Sequence, residues 1–333
     1  MSETYARIQA ELTDAVMCLM LNRLRPLGRK EVIHPLDLER YVAACNGLSP
    51  SQFYALEPMQ EVREAPHSLR WRSPIKTSFP ENATAQARLF LSVPGGWSAP
   101  TVIFLHALMS ASDFGYQRIA RRFNQNGWNA IFPHLPFHYS RVPRGYFNGV
   151  LALTANLPRN GETLRQAVKE MRQLMDYCRT RGCRRFGIIG TSYGGWIGAL
   201  LSFVEADFEF VTLLQPISDV EQAIWESPAT SAIRAQLIKA GVKKGISLQH
   251  AHLSSPLHGK PLLDTKKITL IAGAYDRVVP VQTIEKLGQA WGGLPVTVVP
   301  QGHFGYRAMR VALRELFAGA NSSRSAARIA NSR

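Results

Sequence analysis

The chain has 333 residues, 46% hydrophobic and 19% charged, a composition that excludes a disordered chain and is long enough to bury a large core. No apolar run reaches the ~20 residues of a membrane-spanning helix. The formal charge of +15 favours anionic partners in general, but the basic residues are scattered: Arg118, Arg121 and Arg122; Arg141 and Arg144; RTRGCRR at 179–185; Lys243 and Lys244; Lys266 and Lys267. No nucleic-acid motif accompanies them. A solvated basic surface is expected, with peripheral attraction to anionic lipid or substrate as the alternative.

The first stretch, MSETYARIQAELTDAVMCLMLNRL, carries Glu3, Glu11 and Asp14 and lacks a basic region ahead of a clean apolar core. It reads as an amphipathic helix and not as a secretory signal. Cys18, Cys45, Cys178 and Cys183 are too few and too scattered for a disulfide framework, and none has metal-ligand spacing. A reducing, cytoplasmic setting is expected.

Residues 1–46 read as helical, interrupted near RPLGRKEVIHP, with Leu38, Tyr41 and Val42 on one face of a second helix that Gly47 ends. Strands are expected at 68–79 and 86–96, the latter closing in a Pro-Gly-Gly turn. TVIFLHA (101–107) is a short continuous apolar run, as in a strand buried on both faces. Thereafter helices (112–126, 161–181, 194–206, 281–292, 304–319) alternate with strands (128–135, 186–189, 208–216, 268–274, 295–300). Such alternation implies an α/β fold, a mainly parallel sheet flanked by helices. Residues 217–265 show no strand and are expected to form a helical cap above the carboxyl ends of the strands. The expected organisation is an N-terminal helical segment (1–66), a core with its cap (67–319) and a flexible basic tail (320–333).

Gly190-Thr191-Ser192-Tyr193-Gly194 fits G-x-S-x-G, with the strand FGII before it and an apolar helix after it. That context is a nucleophile elbow, a turn too tight for side chains two positions either side of the serine. A serine hydroxyl needs a base, and the base an orienting acid. In this architecture both follow the serine, each on a loop after a later strand. AYDRVVP places Asp276 after the strand 268–274, and PQGHFGY places His303 after the strand 295–300. Asp219, in QPISDVEQ, is the rival acid; Asp276 as a turn residue and His303 as a plain loop histidine are the bland alternatives. His250, His252 and His258 lack a carboxylate at ligand spacing, and Pro136 separates His134 from His138, so no metal site is expected. Oxyanion donors are expected from the N–H of Tyr193 and from the loop HALMSASDFG.

FLHAL, GTSYGG, AYDRVVP and QGHFGY, in that order, resemble the α/β-hydrolase superfamily over roughly residues 85–319. GTSYGG is similar to the elbow of the prolyl-oligopeptidase-like branch, whose propeller has no room in the ~85 residues before the core. The resemblance implies the α/β-hydrolase fold and a His-Gly-x oxyanion loop, carried here by His106 and Ala107, with Leu108 as the donor. Ala107 departs from the usual glycine and leaves the choice between Ala107 and Leu108 open. The expected activity is hydrolysis of a small-molecule carboxylic ester by Ser192, His303 and Asp276, with no cofactor. The rivals are a peptidase or amidase with the same residues, a lipid deacylase at anionic membranes, and a non-catalytic binding member. Residues 135–150, with Phe137, Tyr139, Tyr146 and Phe147, and the segment 217–265 are expected to shape the acyl pocket. Arg141 and Arg144 read as solvated or as contacts for an acidic substrate group.

Overall fold

A computed structural model describes residues 3–24, 34–92 and 95–330, with side chains through Ala318. The expected break after residue 24, part of the Pro-Gly-Gly turn and the last three tail residues lie outside the described residues. Strands β1 (Gln60–Ala65), β2 (Ser68–Arg72), β3 (Thr84–Phe90), β4 (Thr101–Leu105), β5 (Asn129–His134), β6 (Phe186–Thr191), β7 (Phe208–Leu214), β8 (Ile268–Gly273) and β9 (Val296–Val299) form one sheet. Their order is β1-β2-β3-β5-β4-β6-β7-β8-β9. From β5 onward neighbours are parallel; β1, β2 and β3 add antiparallel at one edge. The order reverses around β4, which lies between β5 and β6, and the crevice beyond the carboxyl ends at such a reversal is where these sheets place ligands.

The helices are α1 (Glu3–Leu24), α2 (Pro35–Asn46), α3 (Pro50–Phe53), α4 (Phe114–Gln125), α5 (Leu157–Thr180), α6 (Tyr193–Leu201), α7 (Val220–Trp225), α8 (Ser231–Lys239), α9 (Ala251–Ser254), α10 (Val281–Ala290) and α11 (Arg307–Ala330). All five residues of β4 are buried, and strand alternation sorts them to two layers. Ile103 and Leu105 join the core under α5, α6 and α10. Val102 and Phe104 join the one under α4 and α11. The apolar run TVIFL therefore reads as it does because helices cover both of its faces.

Several boundaries differ from the expectation for identifiable reasons. β1 was not expected: QEVREA is exposed along its whole length, so no apolar alternation marks it, and only pairing with β2 makes it a strand. β2 stops at Arg72, ahead of Ser73 and Pro74, because proline cannot donate to the ladder. α5 starts at Leu157, capped by Asn156, whose side chain accepts from the Arg159 N–H at 3.1 Å. α11 starts at Arg307, and its backbone continues to Ala330. Between β7 and β8 the chain makes α7, α8, α9 and short 3-10 turns and no strand.

Arg141 is neither solvated nor facing substrate. It is 1% exposed, and its guanidinium grips Glu170 of α5 at 2.6 and 2.8 Å while donating to the carbonyls of His134 and Asn82. Glu170 also accepts from Ser73 and Gln166, so the loop after β5 is bolted to α5 by a buried, hydrogen-bonded charge pair. Leaving one such charge unpaired costs about 3–5 kcal/mol. Glu170→Ala is expected to lose stability of that order in urea unfolding; a loss below about 1 kcal/mol would contradict the role given to this pair.

Candidate active site

Ser192 follows β6 and caps α6 with φ +52° and ψ −111°, a left-handed conformation that costs a non-glycine residue of order 1–3 kcal/mol. Two glycines hold it there. A Cβ on Gly194 would lie 2.1 Å from the carbonyl oxygen of Leu105, and one on Gly190 would lie 2.6 Å from that of Gly194. The first turn of α6 therefore rides directly against the end of β4. The hydroxyl of Ser192, a residue 8% exposed, is held at the corner.

Beside it stands His303, on the loop between β9 and α11. Ser192 Oγ and His303 Nε2 are 2.8 Å apart, and His303 Nδ1 lies 2.8 Å from Asp276 Oδ2. Asp276 follows β8. Its Oδ1 accepts the N–H groups of Val278 and Val279, both at 2.8 Å, and its Oδ2 also accepts from the amide of Gln215, at the end of β7. Gln215 in turn donates to the Gly302 carbonyl at 3.1 Å and accepts from Gln301 at 2.6 Å. Asp276 thus has both the turn contacts of a loop aspartate and the imidazole contact. Burial pushes His303 down, but the charge and hydrogen bond of Asp276, joined by the charge of Asp14, outweigh it and hold the imidazole above its ordinary value.

Two other histidines do different work. His106 Nδ1 lies 2.9 Å from the Ala107 carbonyl, and its Nε2 accepts the Leu135 N–H at 3.3 Å. His138 Nδ1 lies 2.8 Å from the Pro136 carbonyl, and its Nε2 accepts the Met109 N–H at 3.1 Å. Burial pushes His106 far down and His138 down to about 4. Both are neutral braces that tie the loop after β4 to the loop after β5.

The strand order, the reversal at β4 and the turn carrying Ser192 are those of one fold, and a family model described as "Alpha/beta hydrolase domain containing 18" matches residues 63–223, just under half of the chain. The chain has the α/β-hydrolase fold. An uncharacterized protein of Mycobacterium tuberculosis is 25% identical over 198 residues, 58% of this chain and 46% of that protein; the chain spans about half the length of the curated relatives it matches. An acetyl xylan esterase from Paenibacillus sp. superposes with a TM-score of 0.57 at 13% identity, over 90% of this chain and 98% of that one. The acylaminoacyl peptidase of Pyrococcus horikoshii gives 0.53 at 16% identity, over 80% of this chain and 42% of that one. At these identities the solved structures speak for the fold alone.

Within this fold, the rival acid Asp219 is elsewhere engaged: it caps α7, accepting the Glu221 and Gln222 N–H groups. Of the aromatic residues expected in a binding wall, Phe137 is buried and packs edge-on to Phe79, as does Tyr146; Phe147 is exposed. Leu108 and Met109 pack partly buried on the core beside the elbow. Three residues that sequence reading passed over contribute to the site. Gln215 braces Asp276, His138 holds the loop after β4, and Asp14 of α1 accepts the backbone N–H of His303. The signal for Asp14 was its place among apolar residues of an amphipathic helix, but no spacing rule ties it to a loop 289 positions away.

Since α6 meets β4 backbone to backbone at Gly194, Gly194→Ala must push the two apart. Its thermal unfolding midpoint is expected several degrees below wild type, by ~4 °C or more; an unchanged midpoint would mean that the close approach is not a constraint.

Proposed function

We propose that this α/β-hydrolase cleaves carboxylic esters through an acyl-enzyme. The observation that carries the reading is the unbroken chain from Ser192 Oγ through His303 to Asp276, with both contacts at 2.8 Å, on a serine strained at φ +52°. His303 takes the hydroxyl proton as Oγ attacks the ester carbonyl. Asp276 fixes the tautomer and stabilises the imidazolium. The N–H groups of Tyr193 and Leu108 receive the oxyanion. Two contacts support that choice of donors. Gly194 brings the elbow against the backbone of Leu105 and His106, and the next amide along, that of Met109, is already spent on His138. His303 then protonates the leaving alcohol, and water repeats the cycle to release the acid.

An apolar pocket lies between α5, α6 and the segment after β7, lined by Leu153, Leu164, Trp196, Ile217, Ile224 and His250 among others. Neither Ser192 nor His303 lines it; its tie to the elbow is Trp196, whose backbone N–H donates to the Ser192 carbonyl one helical turn back. We assign it to the acyl chain. Two of the structural neighbours bear the name acetyl xylan esterase and another acylaminoacyl peptidase, so ester and amide substrates are the pair to separate.

A p-nitrophenyl ester series of rising acyl length, with a matched anilide, tests the reading. Wild type is expected to turn over esters faster than the anilide, and Ser192→Ala to lose at least about a thousandfold in kcat. Full activity in the variant would remove the nucleophile from the account. Because only the neutral imidazole accepts the proton, the rate should climb as pH rises through a pKa above the ordinary histidine value and then level off. A flat profile from about pH 4 to about pH 9 would exclude His303 as the base.

A further inference from the structure

α1 buries two residues, Asp14 and Cys18, and one of them is a carboxylate with no cation among its described partners. Asp14 is fully buried. Both of its oxygens accept the His303 N–H, at 2.9 Å each. Oδ1 also accepts the Phe304 N–H at 3.4 Å, and Oδ2 that of Arg277 at 3.3 Å. The fit is close enough that a Cβ on Gly302 would lie 2.6 Å from Oδ1. One side chain therefore bridges the loop carrying Asp276, after β8, and the loop carrying His303, after β9, in addition to the contacts those loops make with each other.

A buried carboxylate is costly, and an apolar residue would pack a helix at less expense. Burial pushes the Asp14 carboxyl above its ordinary value, while the backbone N–H groups of His303 and Arg277 pull it back toward the charged form. The titratable groups it faces are His303 and Asp276; those about His303 are Asp276, Asp14 and Ser192. α1 is itself pinned near both ends: the Tyr275 hydroxyl donates to Glu3 at 3.4 Å, and Asn22 donates to the Pro228 carbonyl ahead of α8 and accepts from the Ala232 N–H in its first turn.

We propose that Asp14 is a positioning residue for the acid–base pair, and so that the N-terminal helix belongs to the active site. This rests on the ester-hydrolase reading above. Asp14 holds the His303 backbone at the distance that lets Nε2 reach Ser192, and it sets a second negative charge beside the imidazolium that forms when the serine proton is taken. Asp276 acts on the ring through Nδ1; Asp14 acts through the main chain and through space.

Asp14→Asn keeps the shape, removes the charge and turns an amide toward backbone donors. Asp14→Ala removes all contacts. Glu11→Gln, on the same helix in an exposed pair with Arg7, is the control. Histidine-labelled protein is titrated by NMR, with the His303 signal assigned by its loss in His303→Gln, and p-nitrophenyl acetate hydrolysis is followed against pH. The expected result for Asp14→Asn is a His303 proton affinity lowered by roughly tenfold, with the acid limb of the rate profile moved to lower pH. kcat should fall on the order of 10- to 100-fold with KM within about threefold. Titration and kcat indistinguishable from Glu11→Gln would overturn the proposal. Amide exchange on wild type decides the case if the Asp14 variants do not fold. The His303 and Phe304 N–H groups should then be protected like those of β8, and loop-like exchange would overturn the clamp. A wild type inert towards every ester would sink the hydrolysis reading, while the titration and exchange arms would still judge Asp14.

Discussion

At Gly194 there is room for a hydrogen and nothing larger, because the next atom is the Leu105 carbonyl oxygen at 2.1 Å from where a Cβ would sit. That contact between two stretches of bare backbone sets the geometry of the site. It lets α6 begin against the end of β4, forces Ser192 to φ +52°, and brings the loop after β4 alongside the hydroxyl. The strain at Ser192 is sustained by what surrounds it: a strand buried on both faces, a helix whose nine residues are all buried, and glycines wherever a side chain would separate them. The same constraint explains why the apolar runs at β4 and β6 are nearly featureless. They are scaffolding for one corner.

Electrostatic environment divides the histidines into two kinds. His106 and His138 are enclosed by carbonyls and amides with no carboxylate in contact, so burial keeps them neutral and each spends both ring nitrogens on backbone. His303 is partly buried and faces Asp276, with Asp14 close behind, and its charged form is favoured. Two neutral histidines fix the loop after β4, and in the proposed reaction His303 is the one that takes the proton. In that reading, the placement of two carboxylates separates bracing from chemistry.

Legibility in the sequence followed the range of the interactions. Ser192 was readable because its constraint is local: the glycines that relieve the clash lie within two residues of it. Asp276 and His303 were readable because each sits just past a strong apolar strand, in an order that the fold's topology fixes. β1 was not, since a strand exposed on both sides carries no alternation and exists through its pairing with β2. Arg141 was misread as a surface or substrate-facing charge, because nothing within its own segment announces Glu170 of α5 as its partner. Asp14 was the hardest case. An acidic residue in an amphipathic helix ordinarily faces water, and its partner loop lies at the opposite end of the chain. Polar contacts of long sequence separation leave no periodic trace, while apolar periodicity and tight turns do.

The central claim is that Ser192 is an activated nucleophile, and a fluorophosphonate probe tests it most directly. Intact protein should gain one adduct, mapped by mass spectrometry to the peptide containing Ser192, and His303→Gln should react far more slowly. An unlabelled protein, or an adduct on another residue at equal rate, would contradict the account.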